Sequence, residues 1–331
     1  MNLILKGFNS SENISRSADD FSILLPDVDR LAALFTLSRI SGMGPAKFRE
    51  MHEIGIDPQL AIHYPDILPF TGRNGEKLRA AVAELTTLDI ENGNSRATRE
   101  IKYAKATESS IIIHGDPYYP DSVYQSNYPI PILYVRGNPA IWSKATSIVA
   151  VVGSRNTREP YTTATREFSL TAALSGLAIV SGFATGADTM GHRAAFDAQG
   201  RTVAVMPCGV DQVFPPENLD LWKQLLHYPL AVFVSEVGFG QRATSLSLRR
   251  RNKLIASFSQ AVLVAQSASD GGAMNAYRCA KEQRKHVATF KPDGTTDTTG
   301  NERIASDPRS NTHVFNLSDN AEDFRSWMNE F

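Results

Sequence analysis

Cysteine is nearly absent. The chain has two in 331 residues, Cys208 and Cys279, with no C-x-x-C spacing and no histidine cluster beside them, so neither a disulfide framework nor a zinc site is expected. Such usage suits a reducing cytoplasm. Long apolar runs are missing too. Nowhere do the roughly eighteen apolar residues of a membrane span follow one another, and the opening MNLILKGFNSSENISRSADD turns polar too early for a signal peptide. Net charge is almost nil, with 34 Lys and Arg against 35 Asp and Glu, which argues against a uniformly basic nucleic-acid coat. Internal repeats and low-complexity tracts are also lacking, which removes solenoids and collagen-like chains.

What remains is ordinary globular composition, 42% hydrophobic and 21% charged, in a chain long enough for one large α/β unit and a smaller partner. Residues 1–26 read as a flexible polar arm. Residues 27–107 read as a small all-α domain. There Leu31, Leu34, Phe35, Leu37 and Ile40 recur at helical spacing, the turn Ser41-Gly42-Met43-Gly44-Pro45 leads into a second helix, and Leu78, Ala81, Val82 and Leu85 mark another. From 108 to 292, apolar β runs alternate with helices. Two short runs, Ile111 to Ile113 and Ile132 to Val135, lead in, and SIVAVVG, LAIVSG, TVAVMP, AVFVSE, AVLVAQ and HVATF follow. Strands that are apolar along their whole length and separated by helices indicate a mostly parallel sheet covered on both faces, a doubly wound α/β domain. Residues 293–331 form a C-terminal extension with a β run at His313 to Asn316 and a helix at Ala321 to Met328. Charge is unevenly spread: residues 150–290 hold 15 Lys and Arg against 10 Asp and Glu, so the basic excess sits in the sheet region.

Four constellations in that region could seat an anion. Gly153-Ser154-Arg155 ends the SIVAVVG strand, where a parallel sheet exposes loop and helix-start N–H groups to ligands and where Arg supplies a forked cation. Ser181, Gly182, Thr185 and Gly186 make a second small-residue turn, with Asp188 standing where a helix N-cap belongs. Each has a plainer reading as a tight βα turn, against which the second sets Ser181, Thr185 and free N–H groups converging on the same sheet edge as Gly153-Ser154-Arg155. His192, one turn into that helix, reads as a packing group. Arg249, Arg250, Arg251, Asn252 and Lys253 place four cations in five residues, enough to neutralise several backbone phosphates, although such runs are usually solvated faces. Gly271 and Gly272 open the last helix of the domain, but Asp270 before them would repel a phosphate if it pointed into the seat. The sequence holds no G-x-x-x-x-G-K-[ST], no H-E-x-x-H and no G-x-G-x-x-G after the first strand. Glu236, Asp211 and Glu217 lie at strand or loop ends, where acids are most often caps, so no catalytic residue is assigned.

These pieces, in this order, resemble the DprA/Smf DNA-processing family. The match runs from Asp116 to Phe290 through Asp116-Pro117-Tyr118-Tyr119-Pro120, Leu133-Tyr134-Val135-Arg136-Gly137, Val152-Gly153-Ser154-Arg155, Ser181 to Asp188 with Gly191-His192-Arg193, Pro207-Cys208-Gly209-Val210-Asp211, Pro215-Pro216-Glu217-Asn218, Ser235-Glu236 and Arg250 to Ile255. The resemblance implies an extended Rossmann-like domain that binds single-stranded DNA without catalysis and without a cofactor. It implies a DNA pocket at Ser154, Arg155, Arg250, Arg251, Asn252 and Lys253, self-association as a homodimer or higher, and a RecA-type recombinase as partner. The helical segment resembles the family's sterile-alpha-motif-like or helix-hairpin-helix-like accessory domain. The chain departs from the pattern at Ser247 and Leu248, at Asp270-Gly271-Gly272 and at Asn275, and a C-terminal winged helix is not expected in the 40 or so residues after Phe290. Transformation and phage defence both remain open as settings. So does a different use of the same pocket, as a sensor or hydrolase of a nucleotide.

Overall fold

Strands without a polar gap need cover on both faces, and the fold is organised around that need. The computed structural model describes residues 22–143, 146–308 and 312–331. Among the described residues five α-helices come first: α1 (Val28–Leu37), α2 (Pro45–Glu53), α3 (Pro58–His63), α4 (Gly72–Ala83) and α5 (Thr87–Ala106). Then β1 (Ser109–Ile113), the short α6 (Asp121–Tyr124) and β2 (Ile132–Gly137) lead into alternating strands and helices: β3 (Ile148–Val152), α7 (Tyr161–Leu174), β4 (Ala178–Ser181), α8 (Ala187–Asp197), β5 (Thr202–Val205), α9 (Leu219–Leu226), β6 (Ala231–Ser235), α10 (Ser245–Phe258), β7 (Ala261–Val264), α11 (Ala273–Glu282) and β8 (His286–Phe290). The chain closes with α12 (Thr299–Ala305), β9 (Thr312–Phe315) and α13 (Ala321–Met328). The nine strands among the described residues form one sheet in the order β1-β2-β6-β5-β4-β3-β7-β8-β9, parallel from β6 to β9 and antiparallel at the β1-β2-β6 edge. The expected doubly wound, mostly parallel α/β fold is what the chain adopts.

Alternation along each strand divides the core. Ala150, Val152, Val180, Val205 and Val262 face α10 and α11, while Val149, Val151, Ile179 and Leu263 face α7, α8 and α13. The helical segment shares the sheet's core instead of standing apart, since Leu31, Phe35 and Phe48 belong to one apolar cluster with Ile111, Tyr134 and Phe233.

Two expected boundaries change. Residues 293–331 do not lie outside the sheet domain: β9 pairs with β8, and Phe315, Phe324 and Trp327 surround Phe168 of α7 at ring separations of 5.3–6.0 Å. Of the arm expected over 1–26, residues 1–21 lie outside the described residues, while Leu24 is laced to the β1 edge, donating to Ser110 Oγ and accepting from Ile111 N. Among the described residues no helix is long and apolar enough to cross a membrane.

An aromatic joint fastens the helices to the sheet. His52 Nδ1 lies 2.8 Å from the Tyr124 hydroxyl, the His114 ring sits edge-on to Tyr119 and Tyr124, and Arg49 donates to the Tyr124 and Ser126 carbonyls. Burial, and then the neighbouring His52, push the His114 imidazole down to about 4. Its folded pKa therefore lies below its unfolded value, so the unfolded chain takes up the proton first and stability is lost as pH falls from about 6.5 toward about 4. Urea unfolding at pH 7 and pH 5 should show a loss of which about 2 kcal/mol disappears in His114→Gln. An unchanged pH slope in that variant contradicts the assignment.

Candidate functional site

The order of the strands fixes where a ligand can enter. From β3 the chain lays β4, β5 and β6 on one side, then returns to lay β7, β8 and β9 on the other, so the loops after β3 and β7 diverge at a topological switch point. A cavity of about 480 Å³ opens there, at the carboxyl ends of the strands.

The loop after β3 forms one wall with Gly153, Ser154 and Arg155. Gly153 has no room for a side chain: a Cβ would lie 2.7 Å from the Ala187 methyl and 3.1 Å from the Gln266 carbonyl oxygen. The Ser154 N–H donates to Gln266 O at 2.7 Å, and its hydroxyl accepts from Asn156 N. Arg155 is exposed at the rim.

The turn after β4 behaves differently from the sequence expectation. Ser181 is fully buried and its hydroxyl donates to Val151 O at 2.5 Å, so it faces the core and not a ligand. Gly182, Thr185 and Gly186 are also outside the cavity lining, which takes only Ala184 and Asp188 from this region. The helix cap is Gly186, at φ 76°, and not Asp188. Asp188 is instead a buried ion-pair partner, with Oδ2 3.4 Å from Arg251 Nη1 and 3.2 Å from the Ala184 N–H. Burial pushes its carboxyl up, and the Arg251 guanidinium and backbone N–H groups pull against that. Gly182 makes the pair possible, because a Cβ there would fall 1.2 Å from Arg251 Nη1. His192 packs as expected: it is buried against Phe183, contacts Thr202 Oγ1 through Nδ1 at 2.7 Å, and is pushed down to about 3 by burial.

The cationic run lies inside a helix, so it splits by face. A Thr244–Ser247 capping box starts α10, four residues before Arg249. Ser245, Leu248, Arg249, Arg251 and Asn252 turn toward the cavity. Asn252 Nδ2 donates to Gly272 O at 3.0 Å and ties α10 to the third wall. Arg250 and Lys253 lie on the other face, where Tyr128 donates to Glu236 Oε2 at 2.8 Å and Lys253 Nζ stands 5.2 Å from the Tyr128 ring. Burial pushes the Glu236 carboxyl up, against the pull of Tyr128 and these two cations.

The third wall comes from the loop after β7 and the first turn of α11: Ser267, Ala268, Gly271, Gly272 and Asn275. Asp270 is exposed and is not among the lining residues, so its carboxylate does not occupy the seat. Sequence reasoning missed Ser245, Leu248, Ser267 and Ala268, small or apolar residues whose place depends on where α10 begins and how the β7 loop folds back. The wall cations Arg155 and Arg249 are exposed, with no ion pair among the described residues.

If the Gly182 notch is what seats Arg251, Gly182→Ala should cost about 3 kcal/mol in chemical denaturation, the range for breaking a buried pair from one side. In an Arg251→Ala background the same change should cost under about 1 kcal/mol, by the logic of a double-mutant cycle. Equal costs in both backgrounds contradict the notch.

A family model described as DNA recombination-mediator protein A matches residues 110–320. Protein Smf of Synechocystis is 33% identical over 174 residues, 52% of this chain and 43% of that protein. Protein Smf of Borreliella burgdorferi is 29% identical over 206 residues, 58% of this chain and 65% of that one, so the chain spans less than two thirds of these relatives' lengths. The structure of DNA processing protein A from Streptococcus pneumoniae covers 89% of this chain, and 96% of its own length, with a TM-score of 0.68 at 21% identity. That of DNA processing protein A from Helicobacter pylori covers 68% of this chain, and 97% of its own length, with a TM-score of 0.58 at 18% identity. The family match spans both sides of the switch point and every wall of the cavity, and the chain belongs to the DNA recombination-mediator protein A family, the DprA/Smf proteins its sequence resembles.

Proposed function

We propose that the chain is a non-catalytic DNA-processing protein that holds single-stranded DNA in the switch-point cavity. The observation that carries this reading is the pair of exposed cations, Arg155 and Arg249, contributed by two different walls of a cavity that Gly153, Gly271 and Gly272 also line. Guanidinium groups bind phosphate in a forked geometry, and the first turn of α11 presents its N-terminus to the same space. A volume of about 480 Å³ falls in the range of small-ligand cavities and fits one nucleotide unit of a flexible strand. The Helicobacter pylori neighbour is described as having a single-stranded DNA binding mode of its own. Arg251 also lines the cavity but is buried, and Asp188, the carboxylate in the lining, is held in its pair with Arg251. The family resemblance is the support for self-association, for a RecA-type recombinase as partner, and for action in the cytoplasm on incoming or invading DNA.

Fluorescence anisotropy with labelled oligo-dT tests the reading. Two or three neutralised phosphates predict a log–log salt slope of about −1.5 to −2, and Arg155→Ala or Arg249→Ala should each remove about 0.7 from its magnitude and about tenfold in affinity. Arg250→Ala and Lys253→Ala should change affinity less than about twofold, being on the Glu236 face. The reading fails if duplex binds as well as oligo-dT, or if Arg155→Ala with Arg249→Ala leaves affinity unchanged. Calorimetric binding or turnover of a mononucleotide would assign the cavity to a nucleotide ligand instead.

A further inference from the structure

Two of the three cavity walls are held by the same short piece of chain, which lies outside the cavity. The wall after β3 continues into Arg158, whose backbone N–H donates to Gln266 Oε1 at 3.0 Å. The Arg158 guanidinium reaches across to the segment after β8, donating to Asp293 Oδ2 at 2.6 Å, Thr295 Oγ1 at 2.5 Å and Asp297 Oδ2 at 3.1 Å. Nearby, the Tyr161 hydroxyl donates to the Lys291 carbonyl at 2.8 Å. Arg158 and Thr295 hold the Asp293 carboxyl well below the usual carboxylate range.

The same segment then grips the wall after β7. Asn301 is fully buried: its Oδ1 accepts from Ser267 N at 2.9 Å, and its Nδ2 donates to Ala265 O and Phe290 O, bridging the ends of β7 and β8. The Gly300 N–H donates to Ser267 O, and Ser269 N donates to Thr299 Oγ1 at 2.9 Å. Ser267 lines the cavity, and so does Ser154, which itself donates to the carbonyl of Gln266. A single piece of eleven residues, 291–301, running from the end of β8 into the first turn of α12, is therefore bonded to the chain behind both walls.

We propose that residues 291–301 form a strap that sets the separation of the β3 and β7 loops, with Arg158 and Asn301 as positioning residues for DNA binding. This rests on the reading of the cavity as the DNA site. Asn301 is buried, and its loss strands three backbone groups, so the test uses the exposed end. Removing acidic groups near a DNA site ordinarily strengthens binding by reducing repulsion, and the strap predicts the opposite sign.

The variant is Asp293→Ala with Asp297→Ala, compared with Asp270→Ala, which removes an exposed acid beside the cavity but outside the strap. Oligo-dT affinity, measured by anisotropy on protein whose fold is checked by circular dichroism, should fall threefold to tenfold in the double variant and hold or rise in Asp270→Ala. Asp293→Glu with Asp297→Glu should restore part of the loss. Amide hydrogen exchange without DNA should quicken at residues 154–158 and 267–272 in the double variant. Unchanged or tighter binding with unchanged exchange overturns the strap. If wild-type protein does not bind oligo-dT, the DNA reading fails on its own, and exchange alone decides: faster exchange of both loops upholds the strap and unchanged exchange rejects it.

Discussion

The Arg251–Asp188 pair is the constraint on which the site depends. Its guanidinium lies where the side chain of residue 182 would be, and its carboxylate partner comes from the first turn of α8. A buried pair of this kind contributes little net stability, because desolvation offsets most of the attraction, yet breaking it from one side is expensive. Its consequence is positional. α10 cannot rotate or slide against the β4–α8 turn without stranding a charge, so Arg249 and Asn252 stay directed at the cavity and Arg250 and Lys253 stay directed away.

The loops around the pair follow the same logic of fixed backbone. Ser154 accepts from Asn156 N and donates its own N–H to Gln266 O; Asn252 donates to Gly272 O; Asn301 closes the far side. Each wall is thus bonded to a wall from another part of the chain, and few polar groups are left to rearrange. The charged lining groups that remain exposed are the two arginines, as the proposed encounter with a charged, flexible polymer requires.

Much of the fold was legible because its central strands, such as IVAVV of β3 and AVLV of β7, are apolar along their length and are separated by helices, as a sheet covered on both faces requires. Helix α5 was not legible as an element. Its buried face is Gly93, Ala97, Glu100 and Ala104, small or charged residues that give no hydrophobic signal: Gly93 lies close against Ala32 and Thr36 of α1, and Glu100 accepts from Phe239 N. The three glycine-bearing loops could be placed at the strand ends from sequence, but their internal wiring could not. Ser181 looked like a ligand group and is bonded to Val151 O. Asp188 looked like a cap because its true partner lies 63 residues further along the chain. The arginine run could not be divided into faces until the start of α10 at Ser245 was known. The C-terminal segment read as an extension because a four-residue strand such as β9 carries little pattern, and its place at the sheet edge is decided by pairing with β8.

The most direct test of the account is a crystal structure of the protein with a short oligo-dT. A backbone phosphate should lie between the Gly153-Ser154-Arg155 loop and Arg249, within hydrogen-bond distance of at least one of the two guanidinium groups, with the Arg251–Asp188 pair intact behind it. A strand bound instead along Arg250 and Lys253, with the cavity empty, would contradict it.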